Sequence, residues 1–467
     1  MNGSMFVILA LKLPNRFRWV FCQLEVLRHC LPSSVRRTLA ELPESLDETY
    51  ERVLREIKKP NRDHAHRVLQ CLVVAVRPLR VEELAEVLAV DFEHSEGIAK
   101  LKPSWRWEDE EQALLSSCSS LIVVVKSGHS RVVQFSHFSV KEFLTSSRFG
   151  TSSQDVSRYH ITLEPAHMIL AQACLGILLQ ADDPAKNGVW EPSPLTEYAA
   201  QHWVTHAQFE NVSSYLRRAM EDLFDLDKPY FAAWRNSYDI DNPPGPGATF
   251  YVFYSWSELV ATPLYYAALC GFHHLAERLI GKYPQQVNAH GGCYVTPLVA
   301  ALAGEHFEVA ALLLRYGAGA AVNVRGDDKR TPLHSAAYYG QVKVVRFLLE
   351  HDADVNSSDS AGWTPLHYPS ADRNSQKGPD VLRMLADVAQ LLLQYGADVN
   401  ARRNDGSTPL HIAARCGKVE VARVLLEHGA NVDEKDEKGK TSFQEALARG
   451  HKEIMELLLE HGVKSSL

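Results

Sequence analysis

The sequence lacks the cysteine pattern of small secreted domains and of zinc knuckles. Its eight cysteines are scattered along the chain, and no two of them form a C-x-x-C pair. Disulfide frameworks and structural zinc sites both need cysteines at short, regular spacings. The pattern therefore argues against both and favours a reduced, cytoplasmic protein.

Long hydrophobic runs and an export signal are also missing. No stretch approaches the roughly 18 apolar residues that a membrane-spanning helix needs. The heptapeptide MFVILAL, residues 5–11, has neither the cationic lead nor the small-residue cleavage site of a signal peptide. We interpret it as a buried element or a mis-assigned start, and we expect no membrane partner.

The chain has no excess of positive charge. Its 49 basic residues are outnumbered by 57 acidic residues, which gives a formal net charge of -8. Nucleic acids and anionic membranes select basic surfaces, because Lys and Arg side chains must neutralise phosphate groups. The composition predicts neither partner.

No phosphate-binding loop of the form G-x-x-x-x-G-K-[ST] occurs. The letters GKT at Gly439–Thr441 come closest, but Glu434 replaces the first glycine that the loop requires. The preceding NVDEKDEK is too charged for a buried strand. Because the parts for phosphoryl transfer are missing, we expect no enzyme activity, no catalytic residues, no cofactor and no metal.

Two other stretches could indicate chemistry. His202 and His206 have the i, i+4 spacing of zinc ligands, but Trp203 stands where the H-E-x-x-H motif needs its general base. SSCSSL around Cys118 has no G-x-S-x-G elbow and no feature that would lower the pKa of the thiol. We interpret the histidines as polar edges of a packed helix and the serines as a helix end before a hairpin.

The second half of the chain is repetitive. The tripeptide TPL, with TSF as a last variant, recurs at spacings of 34, 35, 33, 44 and 33 residues. The copies begin at Thr262, Thr296, Thr331, Thr364, Thr408 and Thr441. Near-identical starts in register indicate an array of like units.

Each copy predicts two short helices. Thr caps the first helix, and Pro at the next position loses nothing because its missing N–H would be unpaired there. Paired alanines such as Ala336 and Ala337 allow close packing, and Gly340 ends the helix. The second helix has an apolar stripe, including Val344 and Leu348, that is too short to bury itself. The copies must therefore stack.

This pattern closely resembles the ankyrin repeat over about residues 256–463. The resemblance implies six copies, with a β-hairpin finger before each capping threonine. The copy at Thr364 is eleven residues longer and reads YPSADRNSQKGPD, which predicts a shortened first helix and a polar loop. The copy at Thr262 ends in KYPQQVN and lacks the glycine turn, as an atypical end repeat can.

The first half predicts a different fold. A capping box at Ser45 and Glu48 opens the first of three amphipathic helices, of which the third reads VEELAEVLAV. SLIVVV and RVVQF flank KSGHS, which predicts a hairpin, and three helices with a hairpin suggest a winged helix. The third helix has three glutamates and no Lys or Arg, and residues 36–150 carry 17 basic and 18 acidic residues. We therefore expect a packing role instead of DNA binding.

A second resemblance covers these segments. FRWVFCQLEVLRHC, LPESLDETYERVL, RPLRVEELAEVLAV and FSHFSVKEFL resemble the region after the ATPase core of fungal NACHT–ankyrin proteins, relatives of the animal NOD-like receptors. YHITLEPAHMILAQACLGILL and PLTEYAAQHWVTHA resemble the helical continuation of that family. In the family a nucleotide-driven switch carries signals, and the ankyrin array senses or docks a partner. The P-loop of that switch is absent here.

The predicted fold is mainly α. A winged-helix (α+β) domain and a helical connector precede an ankyrin-repeat α-solenoid with β-hairpin fingers. The predicted boundaries are a remnant of the end of a NACHT ATPase module at 1–40, the winged helix at 41–150, the connector at 151–238, a Pro/Gly linker and repeat cap at 239–255, and the repeats at 256–467. The aromatic cluster FYVFYSW, Phe250–Trp256, would cover the apolar face of the first repeat.

The ankyrin resemblance implies where a partner protein would bind, namely on finger tips and outward positions of the first helices. The candidates are Asp327, Asp328, Arg330, Tyr338, Tyr339, Trp363, Asn404, Ser407, Arg415, Glu437 and Lys440. Tyr, Trp and Arg most often carry binding energy at interfaces. Finger tips are also polar simply because they face water.

The function that we expect is a non-enzymatic protein-interaction module, similar to the sensor or regulatory half of an NLR-like signalling protein. One alternative is a truncated piece of a nucleotide-hydrolysing NACHT switch, which an in-frame P-loop upstream of Met1 in the transcript would establish. A second alternative is a winged-helix DNA-binding regulator, which predicts salt-dependent duplex binding by residues 36–150.

Overall fold

The computed structural model describes residues 45–93, 98–147, 154–180, 193–241, 261–326, 328–371 and 379–462. The chain divides into two compact units, Met1–Ile240 and Asp241–Leu467. Within the described ranges, no helix is both long enough and apolar enough to cross a lipid bilayer. The cysteines in these ranges are free thiols. The finer domain boundaries stay predictions, and the segments 1–40 and Phe250–Trp256 lie outside the described residues.

The first unit begins with a winged helix. Its elements are α1 (Leu46–Glu56), α2 (Arg62–Val74), β1 (Leu79–Arg80), α3 (Val81–Leu88), β2 (Val90–Asp91), β3 (Lys100–Leu101), α4 (Glu110–Cys118), β4 (Ile122–Ser127), β5 (Ser130–Phe135) and α5 (Phe138–Thr145). The main sheet has the strand order β1–β5–β4, and both pairs are antiparallel. Gly128 has a φ of 59° in the turn between β4 and β5, which favours glycine. The predicted hairpin is confirmed.

The predicted count of three helices before the hairpin was incomplete, because a fourth helix separates α3 from the hairpin. Its end at Cys118 agrees with the interpretation of SSCSSL as a helix end. The polar stretch after α3 contains the strand pair β2–β3 and then α4. The helix next to the wing, where a DNA reader would place its basic face, is therefore α4 and not α3. It begins with Glu110 and Glu111 and has no basic residue in its last turn.

The acidic residues of α3 are used internally. Glu83 is fully buried and accepts hydrogen bonds from the Arg77 guanidinium at 2.6 and 2.8 Å and from the Arg80 N–H at 2.8 Å. Burial opposes its ionisation, but these bonds outweigh burial and lower the pKa of Glu83. Glu86 accepts bonds from Arg106 at 2.6 and 2.8 Å. The contacts of Glu83 and Glu86 therefore stabilise the packing of α3 within the first unit.

The rest of the first unit is helical. Its helices are α6 (Gln154–Ser157), α7 (Leu163–Leu178), α8 (Thr196–Ala207), α9 (Val212–Tyr215), α10 (Arg217–Leu223) and α11 (Tyr230–Ser237). The long helix α7 packs on both α8 and α2. The buried Tyr198 hydroxyl on α8 accepts a bond from the Val76 N–H at 3.2 Å. The winged helix and these helices therefore share one core.

The second unit is a stack of helix pairs. Its helices are α12 (Pro263–Leu269), α13 (His273–Lys282), α14 (Pro297–Ala303), α15 (Phe307–Arg315), α16 (Pro332–Tyr339), α17 (Val342–Glu350), α18 (His367–Ser370), α19 (Pro379–Gln394), α20 (Pro409–Cys416), α21 (Val419–Glu427), α22 (Ser442–Arg449) and α23 (Lys452–Glu460). The first helices pack on one another between the first and second copies and along the third to sixth copies, whereas the second and third copies meet through the 3₁₀ turn Ala318–Asn323. The predicted array of stacked helix pairs is confirmed.

The fourth copy differs from its neighbours. Its first helix, α18, has only 4 residues, as predicted. Its second helix, α19, has 16 residues, whereas α17 and α21 have 9 each. Part of the insertion therefore lengthens α19 by about two turns, where the sequence predicted a polar loop. Residues 372–378, between these two helices, lie outside the described residues.

Candidate protein-binding face of the repeat array

The fingers are short hairpins joined to one another. The N–H of one residue donates to the carbonyl four residues later in the pairs Gly326–Arg330, Asp359–Trp363, Arg403–Ser407 and Asp436–Lys440. Neighbouring fingers are joined by backbone hydrogen bonds, in which an N–H of one finger donates to a carbonyl oxygen of the finger before it. The donor and acceptor residues are Ser360 and Asp328, Asn404 and Ala361, and Glu437 and Asp405, with N···O distances of 2.8, 3.1 and 3.0 Å. The finger tips and first helices therefore form one continuous surface, which we call the finger face.

A threonine–histidine relay joins each of the third, fourth and fifth copies to the finger of the next copy. In the third copy, the Thr331 N–H donates to Nδ1 of His334 at 3.0 Å, and His334 Nε2 lies 3.1 Å from the carbonyl oxygen of Trp363. Only a neutral imidazole with its proton on Nε2 satisfies both contacts. Burial is the largest cause that lowers the pKa of His334 and favours this neutral form. The relay recurs at His367 and His411.

Four aromatic rings lie in contact across two copies of the finger face. We call Tyr339, Tyr338, Tyr368 and Trp363 the aromatic row. The centroids of successive rings are 5.0, 6.1 and 5.2 Å apart in that order. The two tyrosines of α16 and Trp363 are half-buried, and Tyr368 is buried. The three half-buried rings therefore each keep part of their surface exposed.

Two arginines flank the aromatic row. The Arg330 guanidinium lies 5.4 Å from the ring centre of Tyr368, and that of Arg403 lies 5.1 Å from the ring centre of Trp363. Arg330 also pairs with Asp328, and Arg403 forms a bidentate pair with Asp405. The latter pair lowers the pKa of Asp405 well below its ordinary value. The arginines are charge-compensated and act as flat packing surfaces for the rings.

An apolar groove adjoins the row. It lies between the first helices of the second and third copies, with Tyr294, Val299, Ala336 and Tyr339 among its lining residues. The walls of the groove are predominantly apolar, so the groove suits an apolar side chain. The Ser335 hydroxyl beside it is buried and has no hydrogen-bond partner among the described residues.

The predicted partner-binding residues divide into four groups. Half-buried are Asp328, Arg330, Tyr338, Tyr339, Trp363, Arg415 and Lys440. Exposed are Asn404 and Glu437. Asp327 lies outside the described residues. The prediction of Ser407 as an outward residue was wrong, because it is 1% exposed and its N–H donates to Asp405 while its carbonyl accepts from Arg403.

The structure brings only part of the predicted set together. Tyr338, Tyr339, Trp363 and Arg330 meet at the aromatic row. Arg415 and Lys440 contact neighbours in the last two copies instead, through the Arg415 carbonyl to His451 at 3.3 Å and the Lys440 ammonium to Glu445 at 3.7 Å. Tyr368, which belongs to the row, and Arg403, which flanks it, were missed. An aromatic residue after TPLH and a pair of arginines in the next finger are the sequence features that could have indicated them.

An asparagine ladder was also missed. The Asn323 side chain donates to the carbonyl of Asp352 at 3.0 Å and accepts from the N–H of Asp354 at 2.8 Å. Asn356 makes the same two contacts with Gly396 and Asp398 at 3.1 and 2.8 Å. Each asparagine therefore links its copy to the next, which explains the Val-Asn that closes these copies.

The two stretches that could indicate chemistry are packed. His206 is buried, and its ring nitrogens lie 2.9 Å from Nδ1 of His167 and 2.9 Å from the Tyr198 hydroxyl. Burial lowers the pKa of His206 to about 3, so the residue is a core histidine and not a polar edge. Burial raises the pKa of the Cys118 thiol well above its ordinary value, which opposes nucleophilic reactivity.

Among the described residues, His273, His274 and Glu277 have ligand atoms within 4.8 Å of one another. They lie in the first turns of α13, and two of the three are exposed. The positive end of the helix dipole and the open solvent both weaken cation binding at such a place. We therefore assign no metal to this group.

Comparisons with known proteins agree with this architecture. The family model "Ankyrin repeats (3 copies)" matches residues 298–388 and 381–466. The model "GPI inositol-deacylase, winged helix domain" matches residues 50–155. Both lie where the resemblances placed an ankyrin array and a winged helix.

Similar curated proteins include fungal and animal sequences. Azaphilone pigments biosynthesis cluster protein L of Monascus ruber is 31% identical over 296 residues, which cover 60% of this chain and 61% of that protein. Ankyrin repeat protein nuc-2 of Neurospora crassa is 33% identical over 123 residues, or 26% of this chain and 11% of that protein. Inversin of Canis lupus familiaris is 32% identical over 95 residues, or 20% and 9%. The chain thus spans less than two thirds of each relative's length.

The chain therefore contains ankyrin repeats and a winged helix domain of the GPI inositol-deacylase type, the domain that follows the ATPase core in NACHT proteins, at the positions that its sequence predicted.

Proposed function

We propose that this protein is a non-catalytic, cytoplasmic interaction module that binds a partner protein through the finger face. Ankyrin arrays are protein-interaction modules, and the aromatic row is the observation that supports a site on this one. Aromatic residues beside arginines are the commonest energetic centres of protein interfaces. Here helix α16 fixes Tyr338 and Tyr339, and a hydrogen-bonded finger fixes Trp363, so little conformational entropy is lost on binding.

The partner that fits best presents an apolar side chain. The arginines beside the row are already paired with aspartates, so the row offers flat apolar surface and no free positive charge. The groove next to Tyr339 supplies a concave apolar site, and an anchor residue in such a site typically dominates affinity. The partner's anchor would enter the groove while flanking residues lie along the row.

Tyr339→Ala in the full chain is the sharpest test, with Tyr316→Ala as its matched control. Tyr316 is 52% exposed at the end of a second helix, away from the first helices. Partners cross-linked to the protein in its native cells would be quantified by mass spectrometry for each variant. We expect specific partners to be recovered about tenfold less with Tyr339→Ala, as for an interface hot spot, and at the wild-type level with Tyr316→Ala.

The comparison of the two variants also defines the results that would contradict the proposal. Equal recovery from the wild type and both variants, at equal thermal stability, would place the binding site elsewhere. Equal loss from both variants would show a general effect of removing surface tyrosines. A second substitution in the row, Trp363→Ala, should reproduce the effect of Tyr339→Ala on the same partners.

We further propose that the module is the sensor or regulatory half of an NLR-like signalling protein. The support is the type of winged helix, which in NACHT proteins follows a nucleotide-hydrolysing core. An in-frame P-loop upstream of Met1 in the transcript would support this proposal, and a stop codon in every upstream frame would contradict it. DNA binding is disfavoured, because the helix next to the wing begins with two glutamates.

A further inference from the structure

The last copy of the repeat array exposes apolar side chains at positions that other copies bury. Leu447 is the seventh residue of the sixth copy, counted from the capping threonine, and it is 54% exposed. Leu459 on α23 is 46% exposed, whereas its equivalents in the third and fifth copies, Leu349 and Leu426, are buried. The seventh residue is buried in each of the other five copies, as Ala268, Leu302, Ala337, Ser370 and Ala414.

Two more apolar residues accompany these leucines. Phe443 lies four residues before Leu447 on α22, and Met455 lies four residues before Leu459 on α23, so each pair shares one side of its helix. Phe443 and Met455 are half-buried, whereas the residues at their positions in the third and fifth copies are buried. We call the surface formed by these four residues the end face. Terminal copies of a repeat array normally carry polar side chains on their outer side, so the end face has the composition of an interface.

The end face continues the interface between copies. In the fifth copy the same positions are covered because α20 and α21 pack on α22 and α23, and no helix pair follows α23 within the part of the chain that the structure describes. Leu447 also differs in size from Ala414, the equivalent residue at that closely packed junction. Where the second copy has Leu302 at this position, an apolar groove that Leu302 lines separates the first helices of the second and third copies. A leucine here therefore suits a lone helix better than a closely stacked ankyrin copy.

Negative charge borders the end face. Three exposed glutamates follow one another along α23 at i, i+3 and i+7, beside the pair of apolar residues on that helix: Glu453, Glu456 and Glu460. None of the three forms an ion pair with another residue in the described ranges, and Lys452 is the one basic residue of α23. In the fifth copy, Arg423 stands at the position of Glu456 and pairs with Glu420 at 3.7 Å. The uncompensated charge would repel a second copy of the same face and would attract Lys and Arg side chains.

We propose that the end face binds a basic amphipathic helix of a partner protein. The apolar side of that helix would lie between the two apolar pairs of α22 and α23, and its Lys or Arg residues would face the glutamates of α23. Amphipathic helices commonly bind to apolar surfaces of this kind, with the anchor residues at i, i+3, i+4 and i+7. The end face shares no residue with the aromatic row or its groove, so it is a second site, additional to the finger face.

Designed peptides test this assignment on the full chain. The probe is a fluorescently labelled amphipathic helix of Leu and Lys, about 18 residues long, and its controls are the same peptide with Glu in place of Lys and a scrambled peptide without an apolar side. Fluorescence anisotropy should show the basic peptide binding about tenfold more tightly than either control.

Substitutions locate the binding. The double variant Leu447→Ser with Leu459→Ser should weaken binding of the basic peptide about tenfold or more, because apolar surface is lost from both helices. Glu456→Lys should also weaken it and should reduce its dependence on salt. Leu163→Ser, at an exposed leucine that begins α7 in the first unit, is the matched control and should bind as the wild type. Because the substituted residues are exposed, thermal unfolding should show all variants folded.

Three results would overturn the proposal. Equal binding of all three peptides, or no binding of the basic one, would show that the end face does not select a basic helix. Binding that is lost in Tyr339→Ala and kept in the double leucine variant would place the helix on the finger face instead. A wild-type dimer in sedimentation equilibrium that the double leucine variant does not form would assign the end face to a second copy of the chain.

Discussion

Acid should loosen the fourth repeat through His367. This buried histidine accepts a bond from the Thr364 N–H at 3.0 Å, and its Nε2 lies 3.4 Å from the carbonyl of Ser407. Burial lowers its pKa from 6.5 to about 4. Protonation would place a proton on Nδ1, opposite the Thr364 N–H, so the folded repeat resists it.

The sign of the effect follows from the two pKa values. Above pH 6.5 the imidazole is neutral in both the folded and the unfolded state, and the full stability is present. Between pH 6.5 and about 4 the unfolded state takes up a proton that the folded state does not, so stability falls as pH falls. Integration over this window gives a loss of about 2 kcal/mol at pH 5, or about 30-fold in the opening equilibrium.

The protein contains a non-titrating version of the same cap. In the sixth copy, the Gln444 side chain accepts from the Thr441 N–H at 3.0 Å. His367→Gln should therefore keep the helix cap, lose about 1 kcal/mol at neutral pH with the bond to Ser407, and lose most of the acid sensitivity. His428→Gln, at an exposed helix end, is the matched control and should leave the sensitivity unchanged.

Hydrogen exchange of the Thr364 and His367 amides measures this directly. Protection factors, corrected for intrinsic exchange at each pH, would be compared between pH 7.5 and pH 5. We expect an about 30-fold loss in the wild type and in His428→Gln, and a loss of a few-fold in His367→Gln. The same pH dependence in all three proteins would refute the assignment to His367.

Three further substitutions test separate contacts. Glu305 adopts a φ of 56° where the third copy has a left-handed glycine, so Glu305→Gly should raise the free energy of unfolding by about 0.5–1 kcal/mol, measured by thermal denaturation. Asn356→Ala should lower it by about 0.5–1.5 kcal/mol, because the exposed Asp398 N–H exchanges its side-chain acceptor for water, and Asn356→Asp should lower it less because it keeps that acceptor. Gly176→Ala would place a Cβ 2.4 Å from the carbonyl oxygen of Ala99, so it should cost about 1–3 kcal/mol in denaturant unfolding of the first unit.

The repeat array could be predicted because its signals are local. Thr-Pro at each helix start, glycine at the helix end and an apolar stripe recur within one copy, and a fixed period repeats them. The aromatic row could not be predicted this way. Tyr368 and Arg330 meet across 38 positions of the sequence, and Trp363 meets Arg403 across 40, so the contacts depend on how copies stack.

The failures have local physical reasons. The sequence indicated only the end of helix α4, because EEQALLSSC has only three apolar residues other than cysteine, without a clear helical period. Ser407 was taken as outward because it is polar, but a residue at the base of a finger uses its backbone groups to close the hairpin and is covered by the next copy. The length of α19 was missed because YPSADRNSQKGPD contains several loop-forming residues, and helix resumes only at its second proline.

The position of Tyr339 links the groove to the aromatic row. Tyr339 lines the groove together with Val299 of the second copy and Ala336 of the third. Its ring also lies 5.0 Å from that of Tyr338, the next ring of the row. An apolar side chain that enters the groove therefore lies against the residue that begins the row, and a substitution at Tyr339 tests groove and row together.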